Sequence, residues 1–192
     1  MYNFFAYISR MKLIRRWSLM KAVTDENIAE HSAQVAQIAH ALALIANRVY
    51  GKQLNADRIT TLALYHESSE VITGDLPTPI KYYNPDIRKA YKDIESVAND
   101  RLLSMLPSEL KEDYEPLIAQ DESTYEHVLV KAADKLSAYI KCVEEMKSGN
   151  REFAKAEQSL RVSVEEYFIY PEIKYFCDKF LPSFAKTLDE LD

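Results

Sequence analysis

Only three of the 192 residues are glycine, and the long stretches between them return apolar side chains every three or four positions. A chain this poor in its most turn-permissive residue has few places to reverse. The spacing, near about 3.6 residues, is that of amphipathic helices rather than the alternation of strands. Abundant Ala, Leu, Glu and Lys favour helix as well. An all-α fold is the expectation. The first helix is expected from Phe4-Phe5-Ala6-Tyr7-Ile8 to Leu13-Ile14. Asn27-Ile28-Ala29-Glu30 reads as a capping box, opening a helix with Val35, Ile38, Ala39, Leu42 and Ile45 on one stripe and its end near Gly51. Asn55 caps a third helix that reaches His66, and Asn84-Pro85 opens a fourth that ends before Pro107, proline being harmless at the first helical position. Thr124 opens a long helix through Val128, Ala132, Leu136, Ile140 and Val143 to Gly149, followed by helices broken at Pro171 and Pro182.

With 47% hydrophobic residues, the chain can bury one good core and is short for two, so residues 1–192 are expected to form one domain. A net charge of −6 argues against a partner such as a nucleic-acid polymer, which selects a basic face. It leaves room for a small anion held by one or two local cations. Cys142 and Cys177 lie far apart with no metal-like spacing, as expected for buried free thiols in a reducing compartment. No apolar run approaches the ~20 residues of a membrane span. The start, Met1-Tyr2-Asn3-Phe4-Phe5-Ala6, has no basic segment of the kind that opens a signal peptide. A cytoplasmic location is expected.

Glu30-His31 and His66-Glu67-Ser68-Ser69-Glu70 hold two of the four histidines, each with carboxylates beside it. The second segment runs into the polar, turning stretch Thr73-Gly74-Asp75-Leu76-Pro77-Thr78-Pro79. Imidazole nitrogen and carboxylate oxygen together suit a catalytic metal, and a loop beside them leaves room for water and substrate. His31 lies four residues before Val35 and so shares its buried face, although a lone histidine there is more often a hydrogen-bonded core residue. His66 and Glu67 point about 100° apart on a helix, and both can still reach one ion placed between them. Asp134, in Val130-Lys131-Ala132-Ala133-Asp134, is a carboxylate on an apolar stretch; it either pairs with a neighbouring lysine or binds a cation. His40 faces another angle and fills space, and His127 is expected to be solvated near a helix start. Arg15-Arg16-Trp17 offers a planar fork for phosphate oxygens and a flat face for a sugar or base. Its plainer reading is a solvated basic pair beside a core tryptophan. Nothing suggests a nucleophilic triad.

His31, then His66 with its acidic neighbour, then Asp134 late on a long helix resemble the pattern of HD-domain metal-dependent phosphohydrolases. Within that superfamily the chain is similar to the bacterial, YfbR-like 5′-deoxynucleotidases. The likeness rests on Arg16-Trp17, Glu30-His31-Ser32, His66 to Val71, Thr73 to Tyr82 (Thr-Gly-Asp-Leu-Pro-Thr-Pro-Ile-Lys-Tyr) and Lys131-Ala132-Ala133-Asp134. It implies a helical HD fold, a homodimer, and hydrolysis of deoxyribonucleoside 5′-monophosphates to deoxynucleoside and phosphate. His31, His66, Glu67 and Asp134 would hold one divalent transition metal: cobalt, manganese, iron, nickel or zinc. Arg16 would orient the phosphate and Trp17 would crowd a 2′-hydroxyl. Asp75, Leu76, Pro77 and Thr78 would line the substrate pocket, with Glu67 and Asp134 at its floor. Glu70 would order the attacking water and accept its proton, and Asp75 would protonate the leaving oxygen. One departure stands out: position 67 is glutamate where the family motif has aspartate, so the carboxylate stands one methylene further out. A phosphohydrolase of another nucleotide and a metal- or nucleotide-binding regulator stay open as alternatives.

Overall fold

Four helices begin where a side chain can accept from amides that have no partner in the first turn. Asn27 accepts from Glu30 N at 3.1 Å while the Glu30 carboxylate accepts from Asn27 N, so the capping box forms. Asn55, Asn84 and Thr124 accept from the amides of Arg58, Ile87 and His127. The computed structural model describes residues 1–81 and 83–191, without the side chains of Thr78 and Pro79. Its helices are α1 (Phe4–Ile8), α2 (Ile28–Tyr50), α3 (Ala56–Tyr65), α4 (Glu70–Thr73), α5 (Thr78–Lys81), α6 (Pro85–Ser104), α7 (Ser108–Ile118), α8 (Tyr125–Lys147), α9 (Ala154–Glu165) and α10 (Pro171–Lys179). Among the described residues there is no strand, only an isolated antiparallel bridge between Arg15 and Asn27. The all-α expectation holds.

α2 and α8 form the centre, with α3 and α10 against α2 and α9 against α8. Val35, Ile38, Ala39 and Leu42 of α2 meet Leu129, Val130, Ala133, Leu136 and Ile140 of α8, closed over by Ile59, Ile173 and Phe176. Alanines on both central helices let their axes approach. A second apolar cluster joins Phe4, Leu102, Leu106 and Ile118, with Tyr65, Val71, Ile72 and Tyr114 against it. It seats α1 and α4 beside the end of α3. Both cysteines are buried free thiols.

Three segments differ from the sequence reading. The first helix stops at Ile8 and tightens into a 3₁₀ turn over Ser9–Leu13. Ile14 then turns extended, so that Ile28 N donates to Ile14 O and Arg16 N to Glu26 O; pairing with the chain before α2 overrides helix continuation. The stretch read as a loop after Glu70 holds two short helices, α4 and α5, with Gly74 between them at φ 73°. α7 was not expected, because Pro107 and Pro116 flank and interrupt a weakly apolar segment; packing of Leu117 and Ile118 into the two cores holds it.

The crossing from residue 17 to α2 has no helix of its own, and a buried carboxylate ties it down. Glu145, 2% exposed, accepts from Val23 N at 2.8 Å, Thr24 N at 3.1 Å, Lys141 Nζ at 2.6 Å and Asn150 Nδ2 at 2.7 Å. Lys141 also donates to Thr24 O at 2.6 Å. Burial alone would lift this carboxyl, but Lys141, the two amides and Asn150 overcome that and hold it at about 2 against an ordinary 4.5. A depressed folded-state pKa stabilises the fold above the unfolded value, and the gain disappears as pH falls through the folded one. Glu145→Gln is therefore expected to cost on the order of 2–3 kcal/mol, a fall in Tm of roughly 5–10 °C at neutral pH. Melting curves between pH 5 and about 2 check the sign: the wild type loses stability faster than the variant.

Candidate active site

The first turn of α2 delivers His31 into the core, fully buried. His66 stands as the C-cap of α3, and Glu67 follows in the turn before α4. Asp134 comes from the middle of α8. One ligand atom from each of these four residues lies within 4.8 Å of the other three. His31 Nε2 is 3.1 Å from Asp134 Oδ1 and 3.7 Å from Glu67 Oε1, and His66 Nε2 is 3.8 Å from the same Glu67 oxygen. Ion pairing of Asp134 with a lysine, the plainer reading of that carboxylate, is not found among the described residues; its partner is His31.

The far side of each ring decides what the near side can do. His66 Nδ1 donates to Ala63 O at 2.7 Å. Its Nε2 is left buried without a hydrogen-bond partner. Burial pushes this imidazole down to about 4, against the opposing pull of Glu67 and Asp134, so the ring is neutral at pH 7 with its lone pair aimed into the cluster. For His31, Nδ1 stands 3.1 Å from Ser137 Oγ, and that hydroxyl donates to Gln34 Oε1 at 2.6 Å. The relay leaves Ser137 as acceptor, so Nδ1 donates to it and Nε2 faces the carboxylates. Two imidazole nitrogens and two carboxylate oxygens, with an orphaned buried nitrogen among them, fit a divalent cation of mixed N/O preference.

Arg16 borders this cluster. Its Nη1 donates to both Glu67 oxygens, at 2.8 and 3.0 Å, and its Nε to Glu26 Oε2 at 3.2 Å. Burial would raise the Glu67 carboxyl, but Arg16 and then His31 and His66 hold it at about 2. Burial likewise works against Asp134, and the bond from His31 with the nearby Lys131 charge holds it well below the carboxylate range. Trp17 Nε1 donates to the same Glu26 oxygen at 2.8 Å, and its ring packs on Phe153 with centroids 5.3 Å apart.

Glu70 and Asp75 behave oppositely. Glu70 is 6% exposed with Oε2 lacking a partner, and burial, then Glu67 and Asp75, push it up to about 9. Burial raises Asp75 too, against the pull of Arg16. Leu76 and Pro77 are partly buried in the turn that follows Asp75. Thr78 opens α5, but its side chain lies outside the described residues, as do that of Pro79 and all of Tyr82. His40 lies apart, in an outer groove with Asp57 and Thr60. His127 is partly buried rather than solvated. Sequence reasoning missed Glu26, Gln34 and Ser137. Gln34 and Ser137 carried a signal, each one turn after a site residue, His31 and Asp134, and so on its face.

Residues 3–184 match the family model described as 5′-deoxynucleotidase YfbR-like. A 5′-deoxynucleotidase of Vibrio vulnificus is 54% identical over 190 residues, covering 98% of this chain and 97% of that protein. One of Photorhabdus laumondii is 50% identical over 192 residues, covering 100% of this chain and 97% of its own length. An HD-domain phosphohydrolase structure from Listeria innocua superposes with a TM-score of 0.82 at 25% identity, covering 97% of this chain and 90% of that one. The fold is shared with the HD phosphohydrolase DatZ of cyanophage S-2L, described as bound to dA and one catalytic Zn2+, with a TM-score of 0.66 at 19% identity and 95% and 96% coverage.

A cluster of this kind is stabilised by the ion it fits. Chelator-stripped protein is expected to gain roughly 3 kcal/mol when a divalent transition metal is added at about 100 times its Kd, read as a rise in Tm. In His66→Ala and Asp134→Ala the rise should vanish. An equal rise in all three proteins would remove the cluster as the binding site.

Proposed function

The chain belongs to the YfbR-like 5′-deoxynucleotidase family and is a phosphoric monoester hydrolase. On that premise we propose how its side chains hydrolyse deoxyribonucleoside 5′-monophosphates to deoxynucleoside and phosphate. One observation carries the scheme: a guanidinium, Arg16, is fixed by Glu67 at the rim of a four-donor set. A phosphate monoester dianion repels an incoming oxygen nucleophile, so its site must pair a charge-neutralising cation with an oriented donor.

His31, His66, Glu67 and Asp134 would hold a divalent ion, which when bound would supply a Lewis acid for a phosphate oxygen and lower the pKa of water. Its donor set favours cobalt, manganese, iron, nickel or zinc over magnesium. Arg16 Nη2 makes no hydrogen bond among the described residues and points the free edge of the fork at the phosphate. Trp17 presents its indole to the sugar and crowds a 2′-hydroxyl. Asp75, Leu76, Pro77 and Thr78 would line the substrate pocket together with Glu67 and Asp134. Burial raises the Glu70 and Asp75 carboxyls of the site, and a carboxyl so raised keeps the proton that a general acid must give. Glu70, returned to its ionised form by the positive charge of a bound cation, would order the attacking water with its unpartnered Oε2 and take its proton. Asp75 hands one to the leaving 5′-oxygen.

Glu67 keeps the hard donor of an aspartate, and its extra length is absorbed by lying along Arg16. The enzyme is homodimeric and cytoplasmic in this reading; among the described residues no helix is long and apolar enough to cross a membrane.

Chelation is expected to abolish phosphate release and a transition metal to restore it; full activity in metal-free protein sinks the scheme. Glu70→Gln should lose roughly 100-fold or more in kcat while binding metal as the wild type does, which separates it from the four ligands. Trp17→Ala should narrow the gap in kcat/KM between deoxyribo- and ribonucleotides, whereas Arg16→Ala harms both alike. Glu67→Asp should keep or raise activity, and Glu67→Gln should weaken metal binding by removing a charge.

A further inference from the structure

Arg16 and Trp17 are adjacent in the chain, yet what holds them is ten residues away. One oxygen, Glu26 Oε2, accepts from Arg16 Nε at 3.2 Å and from Trp17 Nε1 at 2.8 Å. The main chains are paired at the same place, with Arg16 N donating to Glu26 O at 3.0 Å. Glu26 and Arg16 side chains are each 12% exposed, so both bonds are largely shielded from competing water. The need for such a bond is visible in the backbone. Trp17 has φ 59°, the sole positive value outside glycine among the described residues. A bulky L-residue in that region is strained by about 1–3 kcal/mol and stays there only when its surroundings hold it. Phe153 packs on one face of the indole, and the Glu26 carboxylate takes its N–H.

We propose that Glu26 is the positioning residue that couples phosphate recognition to sugar discrimination. It rests on the roles of Arg16 and Trp17 set out above. Glu67 holds the Nη1 edge of the guanidinium and Glu26 the Nε edge, so the plane of the fork is defined from two sides and Nη2 is the edge left for the phosphate. Because the same Glu26 oxygen also holds the indole, the angle between fork and ring is set by a single atom. A phosphate seated on Arg16 thereby meets the sugar at a fixed distance from the indole. Charge matters as well as shape: both bonds run to an ionised acceptor, which makes them roughly twice as strong as neutral ones. Removing the carboxylate frees the indole to relax from its strained backbone and the guanidinium to rotate toward Glu67.

Trp17 is the only tryptophan in the chain, so intrinsic tryptophan emission reports on this contact alone. The test compares wild type, Trp17→Ala, Glu26→Ala, Glu26→Gln and Glu26→Asp in two readouts: Trp17 emission, and kcat/KM for a deoxyribonucleoside 5′-monophosphate against its ribonucleoside counterpart. Glu26→Ala is expected to shift the emission and to bring the deoxy-to-ribo ratio down to that of Trp17→Ala. It should also lower kcat/KM for the deoxy substrate by roughly 10- to 100-fold. Glu26→Gln keeps the shape without the charge and should fall between. Glu26→Asp withdraws the oxygen by about 1.5 Å and should lose both bonds. Should Glu26→Ala fail to give a cooperative melt, the near-isosteric Gln variant carries the test. If Trp17→Ala keeps full discrimination, the indole does not read the sugar, and the proposal falls with that reading. If Trp17→Ala narrows the ratio while the Glu26 variants keep wild-type ratio and emission, the reading stands and Glu26 is merely structural.

Discussion

The site depends on the crossing of α2 over α8. His31 is fully buried where those helices meet, and a buried imidazole needs a partner for each nitrogen. α8 supplies both, one turn apart: Asp134 for Nε2 and Ser137 for Nδ1. The apolar seam around them, Val35 and Ala39 against Ala133 and Leu136, is dry and dense, so the ring cannot tilt without opening a gap. Once that pair is set, the remaining groups are carried in by shorter connections. The end of α3 brings His66 and Glu67, and the chain before α2 brings Arg16 and Trp17. α8 serves this second purpose too, because Glu145, further along the helix, tethers the crossing between residue 17 and α2.

Electrostatically the centre is out of balance in one direction. Besides Glu26, four carboxyl groups, Glu67, Glu70, Asp75 and Asp134, gather around one guanidinium and a pair of imidazoles of which at least His66 is neutral at pH 7. The imbalance is distributed unevenly. Glu67 and Asp134 touch cationic or N–H donors and stay ionised, while Glu70 and Asp75 are buried beside other carboxylates and retain their protons more tightly. Like charges in a dry place force such a division. The two ionised groups are those facing the histidine nitrogens, where a cation fits. The two lifted ones lie on the loop side.

Much of this was legible in the sequence, and the division between what was and was not follows sequence distance. The caps at Asn27, Asn55, Asn84 and Thr124 act on amides two or three residues away, so residue type and spacing suffice to place them. The stripe on α2 and the partly buried Asp134 are periodicity read at close range. Glu145 was invisible because its partners Val23 and Thr24 are more than a hundred residues off. On its own helix it is one more acidic residue beside Glu144. Glu26 was hidden for another reason: ten residues from Arg16 and on no helix, it offers no period to read. The early end of α1 and the helical turns around Gly74 are cases where pairing or packing outweighed local propensity.

The donors His31, His66, Glu67 and Asp134 come from three well-separated parts of the chain. On a ribosome, the first three emerge long before the fourth, and α2 exposes its apolar seam until α8 has been made to cover it. The growing chain therefore carries an incomplete, weakly chelating set for most of its synthesis. Firm capture of an ion becomes available only as α8 docks. An ion held by all four would therefore be taken up only once α2 and α8 have met, before Ile173 and Phe176 of α10 close over the same core.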